Sequence, residues 1–421
     1  MCGIGGAWGL DSSSFVQRMS QWLLHRGHEG VGYAYVKDGA VAIGLPPGDA
    51  DGALVHTRYS TTGPYGSALQ PVVARYRDLE VAVVFNGTVV NYRRLGVESP
   101  SFDGEALAKA LAREIWEMGL EQGVISLFQK VVGAASLLAL TPWGLLAVRD
   151  TRGVRPLAVR NFYGGLAAAS ETVALDGGQE LPPGVALIYG KKYATWRIHG
   201  GEAKLCALEY VYFAHRASEL GGRLVYEMRK RLGETLAEEE SVDIDVVTYV
   251  PETARTAAES YAASIGKPLV EAVVKSRFAG RIFITPPHSR APEDVFRVVK
   301  TDVAGRKVAL VDDSLIRGTN IKTIIRLLRE AGAREIHVRI ASPPVRWPCF
   351  FGMDFQTRKE LAAYGRDVED VRLLVGADTL RYLSLEKFMK ILGAPVCYGC
   401  FTGRYPMEID VTWAEREIER G

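Results

Sequence analysis

The pattern of apolar and polar positions changes character near the middle of the chain. In the first half, residues 81–85, 134–141, 144–149 and 157–160 are apolar or alternating runs punctuated by Pro142 and Gly153. That is the signature of strands joined by tight turns. Asn86-Gly87 follows the first run and precedes Thr88-Val89-Val90, which predicts a hairpin turn at the Asn-Gly pair. One helix stands out: Leu107, Leu111 and Ile115 recur at helical spacing up to Gly119, with Asp103 placed to cap it and Glu105 in its first turn. In the second half, strands and helices alternate. Residues 227–240 read as a charged helix, and 242–250 as a β-branched strand ended by a turn at Pro251. Residues 307–311 read as a buried strand, Ile321, Ile324, Ile325 and Leu328 as a helix stripe closed by Gly332, and 336–341 as the next strand. A strand, helix and strand in so short a span predict a βαβ unit in a parallel sheet.

A length of 421 residues suits two domains, and the change of pattern puts the boundary near residue 205, dividing 1–205 from 206–421. Lys+Arg number 51 against Asp+Glu 49, a balance that gives no reason to expect nucleic acid or an anionic membrane as partner. No apolar run approaches the roughly 18 residues of a membrane span. The beginning lacks the basic and apolar regions of a secretory signal, so a cytoplasmic protein is expected. There, the five cysteines call for reactivity, metal or burial rather than disulfides.

Cys2 directly follows the initiator methionine. Removing Met1, with no further segment to excise, would put a thiol and a free α-amine on one residue. An amine with a pKa of about 8 can serve that thiol as general base. Acyl transfer from an amide also needs an oxyanion hole and a grip on the substrate's ends. Asn86 and Gly87 could donate to the oxyanion, Arg58 could hold a carboxylate and Asp103 an ammonium. The bland readings of these residues are a hairpin turn, a surface arginine and a helix cap; their joint occurrence with Cys2 favours the chemical one. A second constellation is the apolar strand ending in Asp312-Asp313, then Ser314-Leu315-Ile316-Arg317-Gly318-Thr319-Asn320 opening a helix. Loop N–H groups and a helix start suit a phosphate, and the paired acids suit ribose hydroxyls and a divalent cation. The competing reading is a solvated acidic turn with Thr319 as cap.

These motifs resemble known families. Cys2-Gly3-Ile4, His25-Arg26-Gly27, His56-Thr57-Arg58-Tyr59-Ser60-Thr61, Phe85-Asn86-Gly87 and Asp103-Gly104-Glu105 resemble class II glutamine amidotransferases. The Asp312–Asn320 string resembles the signature of type I phosphoribosyltransferases. Arg149-Asp150-Thr151-Arg152-Gly153-Val154-Arg155-Pro156-Leu157, Glu209-Tyr210-Val211-Tyr212-Phe213-Ala214 and Cys400-Phe401-Thr402-Gly403-Arg404-Tyr405-Pro406 extend the likeness to the amidophosphoribosyltransferase family over nearly the whole chain.

The resemblance implies an N-terminal-nucleophile sandwich of αββα layers followed by an α/β phosphoribosyltransferase domain. It implies that glutamine is hydrolysed at Cys2, with Asn86 and Gly87 as oxyanion hole and Arg58, Asp103 and Gly27 binding glutamine. Ammonia then passes to phosphoribosyl pyrophosphate, giving phosphoribosylamine, the first step of purine synthesis. Asp312, Asp313, Ser314, Arg317, Gly318, Thr319 and Asn320, with Lys275 and Arg281 from a mobile loop, would bind phosphoribosyl pyrophosphate. Thr253, Asp312 and Asp313 would hold magnesium. On spacing alone, the Cys397/Cys400 pair leaves zinc, cluster and burial open. The resemblance implies a 4Fe-4S cluster on Cys206, Cys349, Cys397 and Cys400, with zinc as the alternative, and a homotetramer inhibited by purine nucleotides. The chain departs from the family pattern at His28, Phe278, Ile282 and Asn320. It is also shortened at 36–55 and 286–306, where a basic stretch tied to the nucleotide sites is not recognisable. Competing functions are an amidotransferase using a related phosphoribosyl acceptor and a non-catalytic sensor of ribose phosphates.

Overall fold

A computed structural model describes residues 2–59, 70–198, 201–276 and 295–419. Arg281 and most of the expected mobile loop lie outside these residues, as do Ser60, Thr61, Phe278 and Ile282.

The first half forms two antiparallel sheets laid face to face. In the seven-stranded sheet, Gly3–Gly9 runs between Gly52–Thr57 and Gly165–Ala169. In the six-stranded sheet, Leu79–Val89 runs between Val72–Tyr76 and Gly133–Thr141. Ile4, Leu54, Ala82, Val84, Leu138 and Leu145 fill the layer between the sheets. The helix Ser12–Leu23 covers the outer face of one sheet through Val16, Met19 and Leu23. The helices Asp103–Met118 and Leu120–Lys130 cover the other. The layers therefore stack helix, sheet, sheet, helix, as the resemblance implied.

Three local expectations are corrected. Asn86-Gly87 makes no turn: Leu79–Val89 is one continuous strand, paired residue by residue from Ala82↔Leu140 to Val89↔Gly133. Gly87 is required for another reason. Its φ is +149°, and a Cβ there would lie 1.9 Å from the Ala134 carbonyl oxygen. Asp103 does not cap its helix; it is the first helical residue, Phe102 holds the cap position, and the Asp103 carboxylate accepts from Val89 N–H at 3.2 Å. The helices Ser12–Leu23 and Leu120–Lys130 were not anticipated. Each carries a residue that weakens the sequence signal: a serine run opens the first, and Gly123 interrupts the second where it packs against the Glu114 carbonyl.

The second half centres on four parallel strands, Val246–Tyr249, Lys307–Asp312, Glu335–Ile340 and Thr379–Tyr382, adjacent in that order. The helix Thr319–Glu330 makes the crossover between the second and third. Both the Pro251 turn and the Asp312–Gly318 loop fall at the carboxyl ends of strands, where open α/β sheets bind ligands. The helix Val225–Ala237 packs against Arg255–Ser264, the helix that follows the Pro251 turn. No helix among the described residues is long and apolar enough to cross a membrane.

Gly233 lets those two helices touch. A Cβ there would sit 2.0 Å from the Ala257 carbonyl oxygen. Glycine to alanine inside a helix ordinarily gains about 1 kcal/mol; here overpacking against backbone, which costs about 1–3 kcal/mol, reverses the sign. Gly233→Ala is expected to lower the thermal midpoint, as read by circular dichroism.

Candidate active sites and the cavity between them

Side chains alternate across a strand, so the inter-sheet face that holds Ile4, Leu54 and Val84 also carries Cys2, His56 and Asn86 at the end of the sandwich. Cys2 N–H donates to Asn86 Oδ1 at 3.3 Å, and Cys2 Sγ donates to the Tyr59 carbonyl at 3.5 Å. The other end of the Asn86 amide, Nδ2, is buried and has no partner among the described residues. A buried donor left empty costs about 1–3 kcal/mol, so its presence beside a thiol has the character of a site awaiting an acceptor. Burial pushes the Cys2 thiol up, and the positive amino terminus and Arg58 pull it part of the way back. The resting sulfur is thus a protonated thiol that needs a base. His56 is no candidate: burial first, and the Arg58 charge second, hold it down to about 3.

The glutamine-binding candidates surround this point. Arg58 is buried, with Nε 3.8 Å from the Glu29 carboxylate. Gly27 presses on the backbone of Arg58, where a Cβ would come within 2.5 Å of the carbonyl oxygen. Asp103 is buried on the adjoining helix start.

The structure adds a group of charges to which the sequence reading gave no role. Arg26, fully buried, donates Nε–H to the Cys2 carbonyl at 3.2 Å. It grips Glu209 with both terminal nitrogens, at 3.0 and 2.9 Å, and also bonds Glu171. Glu171 accepts from Ser218 Oγ at 2.6 Å and from His215 N–H at 2.8 Å, and lies 2.8 Å from His25 Nε2. Burial alone would raise the Glu171 carboxyl, but Arg26 and His25 hold it well below the usual carboxylate range. Arg155 reaches Glu209 at 3.3 Å. The one hint in the sequence was a lone acid opening an apolar aromatic run, Glu209-Tyr210-Val211-Tyr212-Phe213.

At the second site, Asp312 and Asp313 are both buried at the strand end. Thr253 Oγ1–H donates to Asp313 Oδ2, Ser314 Oγ–H to Asp313 Oδ1 at 2.7 Å, and Asp313 N–H to Asp312 Oδ1 at 2.8 Å. Burial pushes both carboxyls up, and for Asp312 the neighbouring Asp313 adds to it. Thr319 is no side-chain cap. Gly318, at φ +81°, occupies the cap position, followed by Thr319 and Asn320 as the first helical residues. The helix start after the acid pair thus carries no side-chain cap. Lys275 lies on a short strand, Val273–Lys275, paired with Phe296–Val298. Arg317 is engaged elsewhere, donating to Glu360 at 2.9 Å and to Asp354.

A cavity of about 400 Å³ is lined by neighbours of both sites. Tyr59, His25 and His28 line it from the first, Glu252, Thr253 and Thr256 from the second. Tyr59 spans the gap: its carbonyl meets Cys2, and its hydroxyl donates to Asp354 at 2.7 Å. Asp354 in turn contacts Arg317 in the ribose-phosphate loop.

Of the four remaining cysteines, all free thiols, Cys206, Cys349 and Cys400 come from distant parts of the chain into one core, and Cys397 is half-buried. Leu205–Cys206 pairs in parallel with Val396–Cys397, setting Cys206 opposite Cys397. Arg346 and Trp347 N–H both donate to the Cys400 carbonyl at 3.0 Å, which brings the Cys349 segment to the turn. Burial pushes Cys349, Cys397 and Cys400 up, and each is raised further by neighbouring thiols of the set. Among the described residues, no three His, Cys, Asp or Glu side chains are grouped so as to hold a metal ion.

The glutamine amidotransferase domain family matches residues 1–199. The amidophosphoribosyltransferase of Bacillus subtilis (strain 168) is 34% identical, over 97% of this chain and 94% of that one. That of Pyrococcus horikoshii is 37% identical over 96% of each. The solved B. subtilis glutamine phosphoribosylpyrophosphate amidotransferase, complexed with ADP and GMP, superposes with a TM-score of 0.86 at 33% identity, covering 97% of this chain and 98% of that one. A structure described as the allosteric regulatory enzyme of purine biosynthesis gives 0.88 at 32% identity, covering 99% of each. Fold and sites together define a glutamine amidotransferase fused to a phosphoribosyltransferase. Within that class, the chain belongs to the amidophosphoribosyltransferase family.

Two outcomes follow from the site geometry. Asn86→Ala is expected to lower the glutamine-dependent kcat by about 10²–10³, the usual cost of an oxyanion donor, and to leave the ammonia-driven rate near wild type. Pyrophosphate release measures both. A carboxyl in an unfolded chain ionises near pH 4, whereas burial raises Asp312 in the folded state. Its contribution to stability is therefore present below pH ~4 and is lost as pH rises toward the folded value. Asp312→Asn should raise the thermal midpoint of the ligand-free protein at neutral pH while abolishing turnover of phosphoribosyl pyrophosphate.

Proposed function

We propose that this chain hydrolyses glutamine at Cys2 and delivers the ammonia internally to phosphoribosyl pyrophosphate, giving phosphoribosylamine, pyrophosphate and glutamate. The observation that carries the reading is the unpartnered Asn86 Nδ2 beside the Cys2 thiol, at a site whose Tyr59 lines the cavity that Thr253 closes on the far side. We place the domain division at 205/206.

After removal of Met1, the α-amine of Cys2 takes the thiol proton as sulfur attacks the glutamine amide carbon. Asn86 Nδ2 and Gly87 N–H receive the oxyanion. Arg58 holds the α-carboxylate and Asp103 the α-ammonium, with Gly27 as a backbone contact. The amine then returns the proton to the departing nitrogen, and water hydrolyses the thioester to glutamate. Ammonia crosses the cavity sheltered from bulk water, which would protonate it. It attacks carbon 1 of the ribose as pyrophosphate leaves. Residues Ser314 to Asn320 hold the 5′-phosphate, Arg317 orders that loop through Asp354 and Glu360, and Lys275 and Arg281 meet the pyrophosphate. Tyr59 and Asp354 make order in the ribose-phosphate loop bear on the position of Cys2.

Magnesium fits this site. It binds through one or two carboxylates completed by substrate oxygens, which matches Asp312 and Asp313 with the Thr253 hydroxyl rather than a cage of three acids. When bound it would neutralise charge on the leaving pyrophosphate. The four thiols fit a 4Fe-4S cluster better than zinc. The pairing of Cys206 with Cys397 and the bonds from Arg346 and Trp347 to the Cys400 carbonyl gather four thiolate donors, the ligand set of such a cluster. The cluster would tie the C-terminal tail to the domain. The B. subtilis relative is complexed with ADP and GMP, and we propose purine nucleotides as inhibitors of this chain.

Cys2→Ala is expected to abolish pyrophosphate release driven by glutamine and to spare release driven by ammonia; loss of both would contradict two separable sites. Protein purified without oxygen should be brown and contain about four irons per chain, and one zinc with no iron would refute the cluster.

A further inference from the structure

Gly87 is pressed by two neighbours, one from each half of the chain. From Val81 to Val89 it is the one residue that is not buried. Within the sheet, where it pairs with Ala135, a Cβ on Gly87 would lie 1.9 Å from the Ala134 carbonyl oxygen and 3.2 Å from Ala135 Cα. From the second half comes Gly352. A Cβ on Gly352 would lie 3.1 Å from Gly87 Cα and 3.3 Å from the Gly87 carbonyl carbon. Gly352 also has φ +114°, a conformation that residues with a Cβ rarely adopt.

The segment that presents Gly352 is firmly held. Cys349 N–H donates to the Phe355 carbonyl at 2.8 Å, which closes a turn with Gly352 in its middle. Phe350, Phe351 and Phe355 are buried. The first two rings pack on Tyr405 with centroids 5.4 and 5.8 Å away, and the Tyr405 hydroxyl donates to the Pro348 carbonyl at 2.8 Å. Beyond the glycine, Tyr212 Oη–H donates to Met353 Sδ at 3.5 Å and Tyr59 Oη–H to Asp354 at 2.7 Å. Anchored on both sides of Gly352, the turn passes a displacement on to its neighbour rather than absorbing it.

We propose that Gly352 is a positioning residue for the glutaminase reaction: its turn sets the place of the Gly87 peptide, so the second half of the chain completes the oxyanion hole of the first. The proposal rests on the reading of Gly87 N–H as an oxyanion donor. Such a donor works within a narrow range, about 2.7–3.1 Å from the oxyanion. A methyl group on Gly352 would require Gly87 to give by a few tenths of an ångström. Gly87 has little room to do so while it stays paired with Ala135 and pressed on the Ala134 carbonyl.

The test compares full-length wild type with Gly352→Ala, in the presence of phosphoribosyl pyrophosphate and magnesium. Glutamate release is measured over a range of glutamine concentrations, pyrophosphate release with ammonia as donor, and Cys2 alkylation by iodoacetamide on the amino-terminal peptide. Because a misplacement of about 1 Å can cost about 10² in rate, Gly352→Ala is expected to lower the glutamine kcat about tenfold at nearly unchanged KM. The ammonia-driven rate and the alkylation rate should stay near wild type, since neither uses the oxyanion donor. Circular dichroism checks the fold. Where Gly352→Ala fails this, Phe351→Leu takes its place: it keeps the glycine, loosens one anchor of the turn, and should show the same selective loss of kcat. An unchanged kcat overturns the proposal. So does a rise in KM alone, or a fall in the ammonia or alkylation rate to match that with glutamine. Wild type that releases no glutamate overturns the glutaminase reading itself and the proposal with it.

Discussion

The structure depends on a cluster of buried charges at the junction of its two halves. Arg26 and Glu171 come from the first half and Glu209 from the second, all with fully buried side chains. Taking such groups from water costs several kcal/mol per ion, recovered only when every lone pair and N–H is matched. Here they nearly all are: a two-pronged grip between Arg26 and Glu209, and Ser218, His215 and His25 around Glu171. Removing one member would strand the others, so the two halves are held in one relative position. Because Arg26 also holds the Cys2 carbonyl, that position is the position of the nucleophile.

This constraint gives the cavity its meaning. Two sheets packed face to face end at Cys2, and a parallel sheet ends at Asp312 and Asp313. Neither fold requires the two ends to face each other. The junction places Tyr59 and Thr253 in the lining of one cavity. In the proposed reaction, ammonia released at one end crosses this cavity to the ribose at the other. The sites are also linked mechanically, since Tyr59 contacts Cys2 with its backbone and Asp354 with its side chain, and Asp354 contacts Arg317.

Much of the two sites could be read from the chain because their chemistry is local. The strand, the acid pair and the loop of 307–320 are contiguous, and the thiol at position 2 needs no tertiary information. Where local chemistry was ambiguous, the reading failed in an instructive way. Asn86-Gly87 has turn composition, yet its glycine serves a close backbone approach inside a strand and its asparagine holds an empty donor. Asp103 has capping composition, yet its carboxylate reaches across to Val89. The charge cluster was illegible because its members lie 145 and 183 residues apart along the chain. Pairing over such distances leaves no periodic trace. The meeting of the four thiols was likewise legible through resemblance and not through spacing.

Isotope competition tests internal transfer most directly. The enzyme turns over phosphoribosyl pyrophosphate with unlabelled glutamine in a large excess of ¹⁵N-ammonium, at a pH where free ammonia is scarce. If ammonia moves internally through the cavity, the amine of the product carries the glutamine nitrogen. Product labelled in proportion to the ammonium in solution would show that the nitrogen escapes between the sites, and the account would be wrong.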